Sequence, residues 1–152
     1  MRGWLRRLGV VALLGATVVY GHRAARMLEA DRRAAEVTRV AELVRAGQLR
    51  ANALVPWVRA LREASEMDPT SLRVLAARGD LFLLVGRDES AVEAYDEALA
   101  LEPRAEVYFN RSLALEQLGR DREAALDRER ALVLDPRLER RPARPKPKRR
   151  GS

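Results

Sequence analysis

Few residues in this chain have the types and spacing to do chemistry. His22 is the only histidine and stands beside Arg23 at the edge of an uncharged run. There is no cysteine, which excludes disulfides, thiolate zinc sites and a thiol nucleophile. A single imidazole supports neither a nucleophile–base pair nor a metal cluster, so no cofactor or metal is expected and the chain does not read as an enzyme. Asp and Glu alternate with Arg, as in Glu123 and Asp127 among Arg120, Arg122 and Arg130, the pattern of a solvated helix face. Glycines occur singly at the ends of helical patterns, so no phosphate-cradling loop is present. What remains is binding chemistry. Phe109 and Leu113 lie one helical turn apart between Glu106 and Glu116. That pattern suits a ligand with apolar anchors and basic flanks. Residues 137–152 carry eight basic side chains and one acid, Glu139, and are suited to phosphate groups.

The elements that must position these residues are helices, and the clearest is Asp88 to Pro103. Ala91, Tyr95, Ala98 and Leu99 recur at helical spacing with Asp, Glu and Ser between them. Asp88 is placed to accept hydrogen bonds from the first turn, and Pro103 ends the run. Small Ala at two buried positions implies a second helix packed closely. A shift of 33 residues supplies it. Leu75 falls on Tyr108, Gly79 on Ser112, Phe82 on Leu115, Gly86 on Gly119, Ala91 on Ala124, Ala98 on Ala131 and Pro103 on Pro136. A shift of 34 places Leu61 on Tyr95 and Ala64 on Ala98.

A repeat of that length, built as helix, tight turn, helix and terminal Pro, resembles the tetratricopeptide repeat. Leu75, Gly79, Phe82, Ala91, Tyr95, Ala98 and Pro103 fill the signature places of repeat two. In repeat three Tyr108, Ser112, Leu115, Ala124, Ala131 and Pro136 do so. Arg78 and Arg111 depart from it at a place that is usually apolar, and Arg128 replaces the aromatic of the second helix. The fold class expected is all-α: a short solenoid of tetratricopeptide-type helical hairpins, about three repeats with the first degenerate. A single N-terminal transmembrane or signal-anchor helix precedes it.

The chain divides accordingly. Residues 1–7 are a basic start, and 8–21 form an uncharged run of 14 residues, about 21 Å of helix. Counting from Trp4 to Tyr20 reaches 17 residues, about the practical minimum for a span, if Arg6 and Arg7 reach back to headgroups. A cleaved signal peptide ending near Gly21 is the alternative. Residues 22–46 form a long linking helix, the first helix of repeat one. Its seam of Met27, Ala30, Ala34, Val37, Ala41 and Val44 is expected to pack on that repeat, with dimerisation as the alternative. Gly47 ends this helix, and Pro56 opens the next within 47–70. Repeats two and three occupy 71–103 and 104–136, with helices at 71–85, 89–101, 104–118 and 122–134. Gly86 and Gly119 close the first helix of each pair, and Asp88 and Asp121 cap the second. Residues 137–152 are expected to form an extended, disordered tail rich in Pro and basic residues.

The charge of +7 is unevenly spread. Residues 137–152 account for all of it, and 28–136 sum to −5, leaving a mildly acidic core between basic ends. The resemblance implies a concave groove lined by the first helix of each repeat. By register its residues are Arg73, Ala76, Asp80 and Leu83 from repeat two, and Glu106, Phe109, Asn110, Leu113 and Glu116 from repeat three. One subset of the family clamps C-terminal carboxylates with Lys, Asn and Arg. Ala77 and Glu106 stand where two of those residues are needed, so that mode is not expected. The expected function is a membrane-anchored adaptor that binds a protein or peptide partner in this groove, with residues 4–21 in the membrane and the repeats on the extracytoplasmic side. If the first segment is cleaved, the product is secreted or periplasmic. The tail, through Arg140, Arg141, Arg144, Lys146, Lys148, Arg149 and Arg150, supplies an alternative function on anionic lipid or nucleic acid. It carries no aromatic for base stacking, which disfavours nucleic acid.

Overall fold

The protein is described by a computed structural model, covering the backbone of residues 2–50 and 54–140 and the side chains of 17–50 and 54–139. The elements are α1 (Arg2–Arg45), α2 (Val55–Met67), α3 (Leu72–Leu84), α4 (Asp88–Leu101), α5 (Ala105–Gln117), α6 (Asp121–Leu134) and a 3₁₀ turn (Pro136–Arg140). Among the described residues there is no strand. Each helix packs on the one that follows it, except that α1 also packs on α3, and α3 touches α5. The first helices α1, α3 and α5 thus lie side by side, backed by α2, α4 and α6.

The glycines decide where the first helices stop. Gly86 has φ +74° and Gly119 φ +75°, a left-handed conformation that lacks the Cβ penalty only in glycine. In each, the next N–H closes back over the last turn: Arg87 N–H donates to Phe82 O at 2.9 Å and Arg120 N–H to Leu115 O at 2.9 Å. Asp88 and Asp121 do not cap the second helices as expected. They are the first helical residues, the caps are Arg87 and Arg120, and no side chain bonds across the cap. Their carboxylates still favour the positive end of the helix dipole. Ser71 does cap α3, accepting from Val74 N–H at 3.3 Å while its hydroxyl donates to Asp31 of α1 at 2.6 Å.

Two cores result. Ala30, Ala34, Val37, Leu61, Ala64, Val74, Ala77 and Leu81 join α1, α2 and α3. The seam of α1 is therefore spent on packing within the chain. Leu75, Leu83, Tyr95, Ala98, Phe109, Leu113 and Ala131 join the remaining helices. Ala98 is wholly buried, at the close helix contact that its size implied.

The division into an anchor at 8–21 and a linker at 22–46 does not appear as a break. Both lie in α1, one helix of 44 residues and about 66 Å. Most of the anchor's side chains fall outside the described residues, as does the tail beyond Arg140. Among the described residues no helix is long and apolar enough to cross a membrane.

Candidate functional site

The side-by-side first helices leave a cleft of about 550 Å³. Its walls are Ala35 and Thr38 from α1, Leu72, Arg73, Ala76 and Asp80 from α3, and Ala105, Glu106, Val107 and Asn110 from α5, with Arg104 and Asp135 at one end. Alanine and threonine on the facing helices keep it open, because larger side chains would fill the space.

Five of the nine groove residues expected from the register are here: Arg73, Ala76, Asp80, Glu106 and Asn110. The apolar members are elsewhere. Leu83, Phe109 and Leu113 are buried in the core, so they cannot serve as ligand anchors while the fold is intact. The reason is the position of α6. Phe109 lies beneath it, with the Arg128 guanidinium 6.0 Å from the ring centroid. Glu116 pairs with Arg128 at 2.7 Å and does not line the cleft. On α5, the ligand-accessible line therefore runs through Glu106 and Asn110, and the line through Phe109 and Leu113 is structural.

A buried polar centre forms the cleft wall. Asp80 is 5% exposed. One of its oxygens accepts from Tyr95 OH and from Asn110 Nδ2, both at 2.8 Å. Arg45 Nη2 lies 3.8 Å from the same oxygen. Asn110, itself buried, is thereby oriented with its amide nitrogen on Asp80, and its amide oxygen Oδ1 has no hydrogen-bond partner. A buried acceptor left unmade is costly, and Asn110 is a wall residue of the cleft. At the far end Asp135 is held below the usual carboxylate range, chiefly by the side-chain hydrogen bonds of Arg137.

The cleft residues missed by sequence reasoning are Ala35, Thr38, Leu72, Arg104, Ala105, Val107, Tyr95 and Asp135. A signal for some existed: a shift of 34 and then 33 carries Thr38 onto Leu72 and Leu72 onto Ala105. The seam of α1 drew attention to its packed face and away from the adjoining one.

A second charged cluster lies away from this cleft. Arg111 donates to both oxygens of Asp127 at 2.6 and 2.8 Å and also to Asp96. Arg130 adds a contact to Asp127 at 3.3 Å. Asp127 is 2% exposed, and its hydrogen bonds raise the Arg111 guanidinium above its ordinary value despite burial. Every charge there has a partner, which is the arrangement of a structural ion pair. His22 is exposed on α1. Among the described residues no three His, Cys, Asp or Glu are grouped to hold a metal.

No curated protein matches the chain. The tetratricopeptide repeat family model matches residues 72–104, the stretch that folds as α3, the Gly86 turn and α4, and this match together with the helical fold supports a tetratricopeptide-repeat protein.

Proposed function

We propose that the protein is a non-catalytic adaptor that binds an extended segment of a protein or peptide partner in the cleft between α1, α3 and α5. The observation that carries this is the cleft of about 550 Å³ that α1, α3 and α5 leave open, with the buried Asp80–Asn110 hydrogen bond in its wall. Arg73 and Glu106 flank the same cleft with opposite charges, which suits a segment of mixed charge better than the basic flanks first expected.

The reading includes attachment to a membrane through residues 4–21, with the repeats on the extracytoplasmic side. It is supported by the uncharged run Leu8–Gly21 between Arg clusters. Sequencing the mature N-terminus after membrane fractionation tests it. A soluble product beginning near His22 would replace the anchor with a cleaved signal.

The binding reading is tested by selecting peptides from a random display library on the full chain and titrating them against Arg73→Glu/Glu106→Lys. Both positions are exposed, so helicity should be unchanged. Affinity is expected to fall at least tenfold, about 1.4 kcal/mol. Selected peptides that bind the variant as well as the parent would rule out the cleft.

A further inference from the structure

Five charged side chains line the cleft: Arg73, Asp80, Arg104, Glu106 and Asp135. Four of them are engaged by the chain itself. Asp80 accepts from Tyr95 and Asn110, with Arg45 3.8 Å away. Arg104 pairs with Glu102 at 2.9 Å, and Asp135 with Arg137 at 2.9 Å. Arg73 reaches Asp31 at 3.9 Å, the loosest of these contacts, between two exposed side chains. Glu106 differs from all four. It is exposed on the first turn of α5, and among the described residues it has no ion-pair partner.

The repeat places this carboxylate. Glu106 stands 33 positions after Arg73, so the two hold the same place on successive first helices with opposite sign. Between the charges the cleft is hydrocarbon: Leu72, Ala76 and Ala105 are partly exposed along it. α3 touches α5, and packed helices lie about 8–10 Å apart. That distance is about two to three residues of an extended chain at ~3.3 Å each. A strand laid across both helices therefore presents side chains to Glu106 and to Arg73 within a few residues of each other. The field of the folded repeats has the same sign as Glu106. Residues 28–136 hold 16 Arg against 21 acids, a net charge of −5, which draws cations toward the domain.

We infer that the cleft selects its partner segment by a Lys or Arg side chain set against Glu106, with the alkyl stem along Leu72, Ala76 and Ala105. The inference rests on the cleft reading above and adds to it the residue type that the partner must offer. A cation there meets a carboxylate that the fold leaves unmatched, while its stem removes apolar surface from water. An acidic side chain a few residues away meets Arg73, but it competes with Asp31 and contributes less. Rejection adds to the selection, because an acidic side chain opposite Glu106 meets a like charge.

The test selects random heptapeptides displayed on phage against the full chain and against Glu106→Gln, Glu106→Lys and Thr38→Trp. The last fills the cleft from α1. Glu106 is exposed, so its variants should keep the parent's helicity by circular dichroism. The parent is expected to enrich Lys or Arg at one peptide position. Glu106→Gln should remove that enrichment, and Glu106→Lys should turn it to Asp or Glu. Replacing the enriched residue by norleucine should weaken binding to the parent about fivefold. The same replacement should leave binding to Glu106→Gln unchanged, a coupling read from the double-mutant cycle. Peptides that Thr38→Trp excludes, but whose basic residue is indifferent to Glu106→Gln, overturn this inference and leave the cleft reading standing. Peptides that bind Thr38→Trp as well as the parent remove the cleft reading itself, and failure to enrich any peptide overturns both. Basic enrichment that appears only after residues 141–152 are removed would give the Glu106 contact to the chain's own tail, and would also overturn the inference.

Discussion

Repeats two and three have the same backbone plan and hold it together by different chemistry. In repeat two Tyr95 is fully buried and its hydroxyl donates to Asp80. Its ring occupies the space a side chain at Gly79 would need: a Cβ there would meet Cδ1 at 2.6 Å and Cζ at 2.7 Å. In repeat three the matching positions are Arg128 and Ser112. Arg128 is about one-third exposed and pairs with Glu116, which stands where repeat two has the buried Leu83. A second exchange runs the same way. Buried Ala94 is matched by buried Asp127, which accepts from Nε and Nη2 of Arg111. The difference follows from position in the stack. Tyr95 is covered by α5, whose Asn110 meets the same Asp80 oxygen. Among the described residues only the short 3₁₀ turn follows α6. A large aromatic there would stay partly in water, whereas Arg128 turns its guanidinium to Glu116 at 2.7 Å.

Mutations can break this comparison. The largest effect is expected at Tyr95. Tyr95→Ala should cost about 3–5 kcal/mol for the lost volume, while Arg128→Ala removes a partly exposed pair and should cost about 1 kcal/mol or less. Urea unfolding midpoints of the two variants measure the contrast, and equal losses would mean that the repeats are not held differently. Next is Asp127→Ala. It strands the Arg111 guanidinium in a mostly buried place with only Asp96 left, and should cost about 3 kcal/mol, the lower end for a broken buried pair. The matching Ala94 has no charge to lose, so this penalty belongs to repeat three alone. A smaller effect than that at Asp127 sharpens the comparison. Gly79→Ala should cost about 2 kcal/mol by overpacking against the Tyr95 ring. In a Tyr95→Ala background that cost should vanish, a coupling readable from a double-mutant cycle. If Gly79→Ala costs the same in both backgrounds, the glycine is needed for something other than the ring.

The helices of repeats two and three were legible from sequence to within a residue or so at each end. Helix ends have strong local signals, and left-handed glycines and terminal prolines act whatever lies around them. The capping roles of Asp88 and Asp121 were misjudged by one position, because the Gly86 and Gly119 turns extend the second helix back to the aspartate. Of the residues the register assigned to a groove, Arg73, Asp80, Glu106 and Asn110 lie at the cleft wall. Phe109 and Leu113 are buried instead, since a repeat register says which residues are equivalent but not which side of a helix its neighbour covers.

By itself, the sequence determined the period, the all-helical class, the places where helices turn and the acidic core between basic ends. These depend on interactions within a few residues or on composition. Only the tertiary structure decided that α6 lies over Phe109, that Asp80 draws in Tyr95 and Asn110, and that Arg111 finds Asp127. Each of these joins residues 15 or more positions apart. Which partner a buried polar group meets is set by how helices pack, and local patterning carries no record of that.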